Sequence, residues 1–303
     1  MLAVKPFCKT KNQTNMKTRN QIELASGVAA KEKTMKTLLS VASLSLVLAT
    51  GSATAAPKPE IVLVHGAWEE ANIWQAVTPL LKKDGYHVVT VTLPGRPGSP
   101  LSPDKVSLDL YRDTILNAIG NPAQPVVLVG HSFGGITISL AAEAAPQKIK
   151  TLVYIAAYLP KDGQSLLNLG NSDKDSKIGP DLQIMKDKGI IAVEKSARAD
   201  LFCLDCNDQL REAIPNLIVD EPLAPLATPV HLTADRFGTV DKVYIHTAKD
   251  QVVSPSLQAI MVAATPVSKE ITIDTGHTPF LTDPHGLARD IEMAAKPQEA
   301  ASR

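Results

Sequence analysis

Short apolar runs alternate with amphipathic stretches along most of the chain beyond residue 57. Glu60–His65 is a β-branched run that predicts a strand buried on both faces. Ala71–Lys83 follows with Ile73, Trp74, Val77, Leu80 and Leu81 at helical spacing. His87–Leu93 predicts a second strand, and Val106–Ile119 a second helix with Leu110, Ile115 and Ile119 apolar. Val126–Val129 is a third strand and Ile136–Ala145 an Ala-rich helix stopped by Pro146. Ile149–Ala157, Lys242–Thr247 and Glu270–Ile273 complete the strands, and Ser254–Ala264 and Pro284–Ala295 the helices. Strand and helix alternating at this spacing predict an α/β fold, a mostly parallel sheet flanked by helices on both faces.

The rhythm breaks twice. From about 160 to 237 the chain is richer in Asp, Lys, Gly and Pro, and only short helices are expected, at Leu182–Lys188, Ala192–Leu201 and Asp208–Ile214. This is the pattern of a helical cap inserted before the strand at 242–247, with no strand required in it. The other break is at the start. Residues 1–34 are polar and aperiodic. Met35-Lys36 then leads into an apolar run from Leu38 to Ala49 and the small residues of Ala53-Thr54-Ala55-Ala56. A positive flank, a short apolar run and a small-residue cleavage site are expected of a signal peptide over 35–56, with translation starting at Met35 and the mature chain exported. The run is too short to span a bilayer, which takes ~20 apolar residues, so no membrane partner is expected.

Composition changes this picture little. Lys plus Arg and Asp plus Glu both number 31, so no basic footprint for nucleic acid is present. Residues 57–303 suffice for one large domain with an insertion.

The chemistry converges on Gly130-His131-Ser132-Phe133-Gly134, which fits Gly-x-Ser-x-Gly between a buried strand and a helix. A serine hydroxyl is a weak nucleophile at neutral pH and needs an imidazole base, itself oriented by a carboxylate. In a parallel sheet such groups belong in loops after strand C-terminal ends. Asp250 follows the strand ending at Thr247, and His277 follows the last strand. Asp274 is a competing acid, but it lies only three residues from His277 and would have to fold back on it. The order Ser132, Asp250, His277 points to nucleophile, acid and base of a serine hydrolase. Oxyanion donors are expected at the backbone N–H groups of Phe133 and of Ala67, in the His65-Gly66-Ala67-Trp68 loop after the first strand. Gly66, Trp68 and the cap residue Phe202 are the expected substrate contacts. His131 is expected to point away from the reaction.

His65-Gly66-Ala67-Trp68, Gly130-His131-Ser132-Phe133-Gly134-Gly135, Arg236-Phe237-Gly238, Lys242-Val243-Tyr244-Ile245, the Asp250 loop and Gly276-His277 carry a resemblance over about residues 60–295. They resemble the α/β-hydrolase subfamily of plant methylesterases, hydroxynitrile lyases and bacterial esterases. The resemblance implies an α/β-hydrolase fold and hydrolysis of small-molecule esters beneath a helical cap, without a cofactor. It implies Ser132 as nucleophile, Asp250 as orienting acid, His277 as base, and Ala67 with Phe133 as oxyanion donors. Alternatives are a hydroxynitrile lyase and a non-catalytic binder of small ligands. The subfamily's lyases typically carry threonine and lysine where this chain has Gly66 and Thr278. Cys203 and Cys206 are either a local disulfide or two buried thiols, and Cys206 matches a cap cysteine common in the subfamily. No second cysteine pair offers zinc its four ligands, and no glycine-rich phosphate loop implies a nucleotide.

Overall fold

The computed structural model describes residues 57–296; the expected leader and the segment before it lie outside that range. Four β-branched runs close together in space, β1 (Ile61–Val64), β2 (Val88–Val91), β3 (Val126–His131) and β4 (Ile149–Ile155), joined by β8 (Asp241–Thr247) and β9 (Lys269–Ile273). They pair in parallel in the order β2-β1-β3-β4-β8-β9. Parallel neighbours need crossover connections, which the helices supply on both faces.

Alternation along the strands divides the core in two. Ile61, Leu63, Val127 and Val129 face one layer with Leu81 of α1 (Thr78–Lys83), Phe280 of α9 (Pro279–Thr282) and Leu287 and Ile291 of α10 (Pro284–Ala295). Val62, Val64, Leu128 and Tyr154 face the other with Tyr111 of α2 (Leu108–Ile119), Ile136 of α3 (Gly134–Ala144) and Leu257 of α8 (Pro255–Ala264). Each fully buried Ile or Leu contributes roughly 1.5–3 kcal/mol. The helix expected over Ala71–Lys83 divides in two. A 3-10 turn covers Ala71–Gln75, and α1 restarts at Thr78 because Pro79 is tolerated only in a first helical turn.

The insertion differs from expectation. The helix predicted at Leu182–Lys188 and the start of the one at Ala192–Leu201 are instead a hairpin, β5 (Leu182–Met185) with β6 (Ile190–Val193), extended by β7 (Glu221–Pro222). The reason is local. Gly189 adopts φ 65° to close the turn, and Ile190, Ile191 and Val193 suit a pleated surface better than a helix. Helices surround this small sheet: α4 (Leu166–Ser172), α5 (Arg198–Phe202), α6 (Asp208–Leu217) and α7 (Leu223–Ala227). Leu169, Ile191, Phe202, Ile214 and Leu226 join the same apolar cluster as one face of the main sheet. The cap therefore shares its core with the domain it covers. Cys203 and Cys206 form a disulfide, with Cα atoms 5.0 Å apart. Among the described residues no helix is long and apolar enough to cross a membrane.

Candidate active site

β3 ends at His131 and α3 begins at Gly134, so Ser132 sits in a turn of two residues. Its φ is 51°, in the left-handed region that costs a non-glycine residue about 1–3 kcal/mol. The turn is this tight because its flanks are glycines. A Cβ on Gly130 would lie 2.7 Å from the carbonyl of Gly134. The strain holds the serine side chain clear of the strand at the N-terminus of an 11-residue helix, where the backbone favours negative charge.

The loops after β8 and β9 bring the two partners to it. His277 Nε2 is 3.1 Å from Ser132 Oγ, and His277 Nδ1 is 2.8 Å from Asp250 Oδ2. Because a carboxylate only accepts, Nδ1 carries the proton and Nε2 presents its lone pair to the hydroxyl. Asp250 is locked in turn. Oδ1 accepts the N–H groups of Val252 and Val253, and Oδ2 also accepts the Thr247 hydroxyl. All three residues are buried. Asp274 is elsewhere, paired with Lys249 at 2.8 Å.

Two bonds from the cap grip the His277 loop. Asp205 Oδ2, inside the disulfide loop, accepts the N–H of Gly276 at 2.9 Å. The Thr278 hydroxyl donates to the carbonyl of Phe202. Phe202 packs its ring 5.9 Å from that of His277 and 6.2 Å from that of Trp68.

The loop after β1 is held just as closely. Glu69 Oε2 accepts the N–H of Gly66 at 2.8 Å, and Glu221 Oε2 accepts that of Trp68 at 2.9 Å. No acceptor meets the intervening N–H of Ala67 or that of Phe133 among the described residues. Glu221 belongs to a buried cluster. Arg96 Nη2 lies 2.7 Å from it, the Tyr111 hydroxyl donates to its Oε1, and Arg96 Nε donates to the carbonyl of Glu69. Burial works against the Arg96 charge, but the Glu221 carboxylate outweighs it and holds the guanidinium above its ordinary value.

Two further histidines flank the site in different states. His65 donates from Nδ1 to the Gly66 carbonyl and accepts the Leu93 N–H at Nε2, the pattern of a neutral ring. Burial, aided by Arg96, pushes it down to about 3. His131 faces two acceptors, Glu69 Oε2 at 2.8 Å and the His277 carbonyl at 2.9 Å.

A cavity opens on Ser132, walled by Trp68, Tyr158, Leu166, Ile178, Leu182 and Val252. No Lys, Arg or His lines it to pair with an anion, and its one acidic residue, Asp173, is engaged by Ser254, so it suits a neutral, largely apolar ligand. Of the three substrate contacts expected from the sequence, only Trp68 is in this wall. Gly66 is buried instead against Ser132 and Glu69, and Phe202 supports His277 and Trp68. Glu69, Arg96, Glu221 and Asp205 were not singled out by sequence reasoning. The one available signal was an acidic pair, Glu69-Glu70, close behind a buried strand. Among the described residues, no group of three or more His, Cys, Asp and Glu side chains is arranged to hold a metal ion.

Known proteins share this fold. Residues 61–290 match the family model described as "Alpha/beta hydrolase family". The chain is 30% identical over 243 residues to the chloroplastic protein of Arabidopsis thaliana named as methylesterase 13, covering 75% of this chain and 54% of that one. It is 29% identical over 245 residues to methyl jasmonate esterase 1 of Vitis vinifera, covering 75% and 92%. The chain thus spans little more than half the length of the first Arabidopsis relatives it matches. A pyrethroid hydrolase from Sphingobium faniae JZ-2 superposes with a TM-score of 0.70 at 24% identity, over 78% of this chain and 97% of the other. At that identity the likeness shows the fold.

Proposed function

The chain belongs to the alpha/beta hydrolase family, and from that premise we propose that it is a serine carboxylesterase acting on small neutral esters. The observation that carries this reading is the relay from Asp250 Oδ2 through His277 to Ser132 Oγ, at 2.8 and 3.1 Å. His277 Nε2 takes the hydroxyl proton as Ser132 Oγ bonds to the ester carbonyl carbon. The negative charge that develops on the carbonyl oxygen meets the free N–H groups of Ala67 and Phe133. Collapse of the tetrahedral adduct breaks the carbon–oxygen bond to the alcohol, which leaves with the proton from His277. Water then attacks the acyl-Ser132 ester by the same route, releasing the acid and restoring the serine. The Gly66 and Trp68 N–H groups on either side are already bonded, which supports Ala67 as the donor from that loop. Relatives named as a methyl jasmonate esterase and a pyrethroid hydrolase support the reaction class.

Cyanohydrin cleavage is disfavoured at two positions. It needs a cation to meet departing cyanide, whereas Thr278 is neutral and its hydroxyl is committed to Phe202. Gly66 has no side chain to bind a substrate hydroxyl.

Turnover of p-nitrophenyl acetate or butyrate tests the proposal. Ser132→Ala, His277→Ala and Asp250→Asn should each lower kcat on the order of 10⁴-fold while remaining folded. A serine-directed phosphonate should label Ser132 alone. Activity retained in Asp250→Asn but lost in Asp274→Asn would refute the assignment of the acid. The pattern over residues 35–56 supports export of the mature chain. N-terminal sequencing of protein recovered from the periplasm or medium should then start at Ala56 or Pro57. An intact leader on stably folded cytoplasmic protein would contradict it.

A further inference from the structure

His131 and Glu69 are both buried, and neither takes part in the proton relay just described. Their hydrogen bonds nevertheless bear on their charge. The His277 carbonyl can only accept, so the His131 nitrogen 2.9 Å from it, Nε2, must carry a proton. Glu69 Oε2, 2.8 Å from Nδ1, already accepts the Gly66 N–H, as a carboxylate oxygen does. Two donors converging on one oxygen favour Glu69 as a carboxylate, and with it Nδ1 carries a proton too, so that His131 is an imidazolium facing it. His65, in the loop after β1 and with one donor and one acceptor contact, is the neutral counterpart.

We infer that Glu69 and His131 form a buried ion pair that positions the hydrolytic site by tying three loops together. Glu69 holds the loop of Ala67 through the Gly66 N–H. His131 is the residue before Ser132. Its far nitrogen holds the main chain of His277, and the two rings lie 4.7 Å apart. Nucleophile, base and one oxyanion donor thus share one anchor. Burial opposes both charges, and their mutual attraction outweighs it, raising His131 and lowering Glu69 relative to ordinary values. The pair is neutral as a whole. The other charged or titratable groups around it are Asp250 and His277 on one side and His65 with Arg96 on the other. Breaking the pair should therefore both loosen the site and leave a charge beside His277.

This inference rests on the esterase reading for its kinetic test but not for its spectroscopic one. In wild-type protein, ¹⁵N-resolved NMR of the imidazole rings should show both ring nitrogens of His131 protonated at pH 7, where a free imidazole is mostly neutral. A neutral tautomer of His131 at pH 7 would overturn the pair whether or not the protein hydrolyses esters.

Kinetically, His131→Asn strands the Glu69 carboxylate near His277. It should move the acid limb of kcat/KM upward by about one pH unit, because an unpaired negative charge favours the His277 imidazolium. Glu69→Gln should lower kcat by about tenfold to a hundredfold with KM changed much less, since positioning acts on the reacting geometry. The double variant Glu69→Gln/His131→Asn, a neutral amide pair, should return the acid limb to its wild-type place. An acid limb unmoved in folded His131→Asn, or single losses that simply multiply in the double variant, would refute the coupling. Wild-type protein inactive on every ester would instead refute the esterase reading and leave the NMR result to decide the pair.

Discussion

The side chain of Asp205, within the Cys203–Cys206 loop, accepts the N–H of Gly276, the residue before His277, at 2.9 Å. The cap is therefore bonded directly to the loop that presents the base. Asp205→Ala should lower kcat by about tenfold, an effect on orientation rather than on the reacting groups. Replacing both cysteines by serine should cost roughly 2 kcal/mol, the loop-closure term for so short a loop. A lower Tm under reducing conditions, absent from the double-serine variant, would check the assignment.

Gly66 leaves the oxyanion loop no room for a side chain. A Cβ there would lie 2.8 Å from both Glu69 Oε2 and Ser132 Cβ. Gly66→Ala should accordingly reduce kcat/KM by about a hundredfold or more through displacement of the Ala67 N–H. The overpacking should also cost about 1–3 kcal/mol of stability. Gly66→Thr, the change that would imitate the lyase motif, should abolish hydrolysis without adding lyase activity. Near-wild-type kinetics for Gly66→Ala would show that the loop shifts freely, contrary to its bonded geometry.

The cavity wall sets a third expectation. Ile178→Ala and Leu182→Ala enlarge the space above Ser132 without touching the relay. They should favour longer acyl or alcohol groups over acetate by several-fold in relative kcat/KM, since each methylene is worth ~1–3 kcal/mol in an apolar pocket. Equal changes across an ester series would rule the cavity out as the specificity pocket.

Acid should destabilise the fold partly through His65. It is pushed down to about 3 in the folded state, from 6.5, so the unfolded chain binds an extra proton between those values. Its contribution is complete above pH 6.5 and is lost as pH falls from there toward 3. His65→Gln keeps an acceptor for the Leu93 N–H but cannot titrate. Urea midpoints measured from pH 7 to pH 4 should fall less steeply in that variant than in wild type. Parallel curves would show that His65 is not a source of the acid sensitivity.

The Arg96–Glu221 pair supplies the last expectation. Removing one partner strands a buried charge, so Arg96→Met should cost about 3–5 kcal/mol, read as a fall in Tm. Because Glu221 also holds the Trp68 N–H, activity should fall before unfolding begins. A fully active Arg96→Met protein of unchanged Tm would refute this role.

Local pattern alone determined the parallel sheet, the turn at Ser132 and the order of the relay. β-branched runs such as Val126–Val129 have few alternatives to a buried strand, and Gly-x-Ser-x-Gly is legible because the strain it serves lies within five residues. Asp250 and His277 could be read because each directly follows a strand, where a parallel sheet collects its ligands. The cap was less legible. Its hairpin at Leu182–Val193 has strands of only four residues each, so the turn at Gly189 and the β-branched Ile190, Ile191 and Val193 are a brief signal in a stretch that otherwise reads as helix, and its apolar side chains pack on the domain below. Tertiary structure alone decided the charged anchors. Glu69 meets His131, Arg96 meets Glu221 and Asp205 meets Gly276 across long separations in sequence. A lone charged residue in a sequence carries no mark of its partner, because the energy that makes its burial tolerable exists only once the fold has brought the second group within hydrogen-bonding distance.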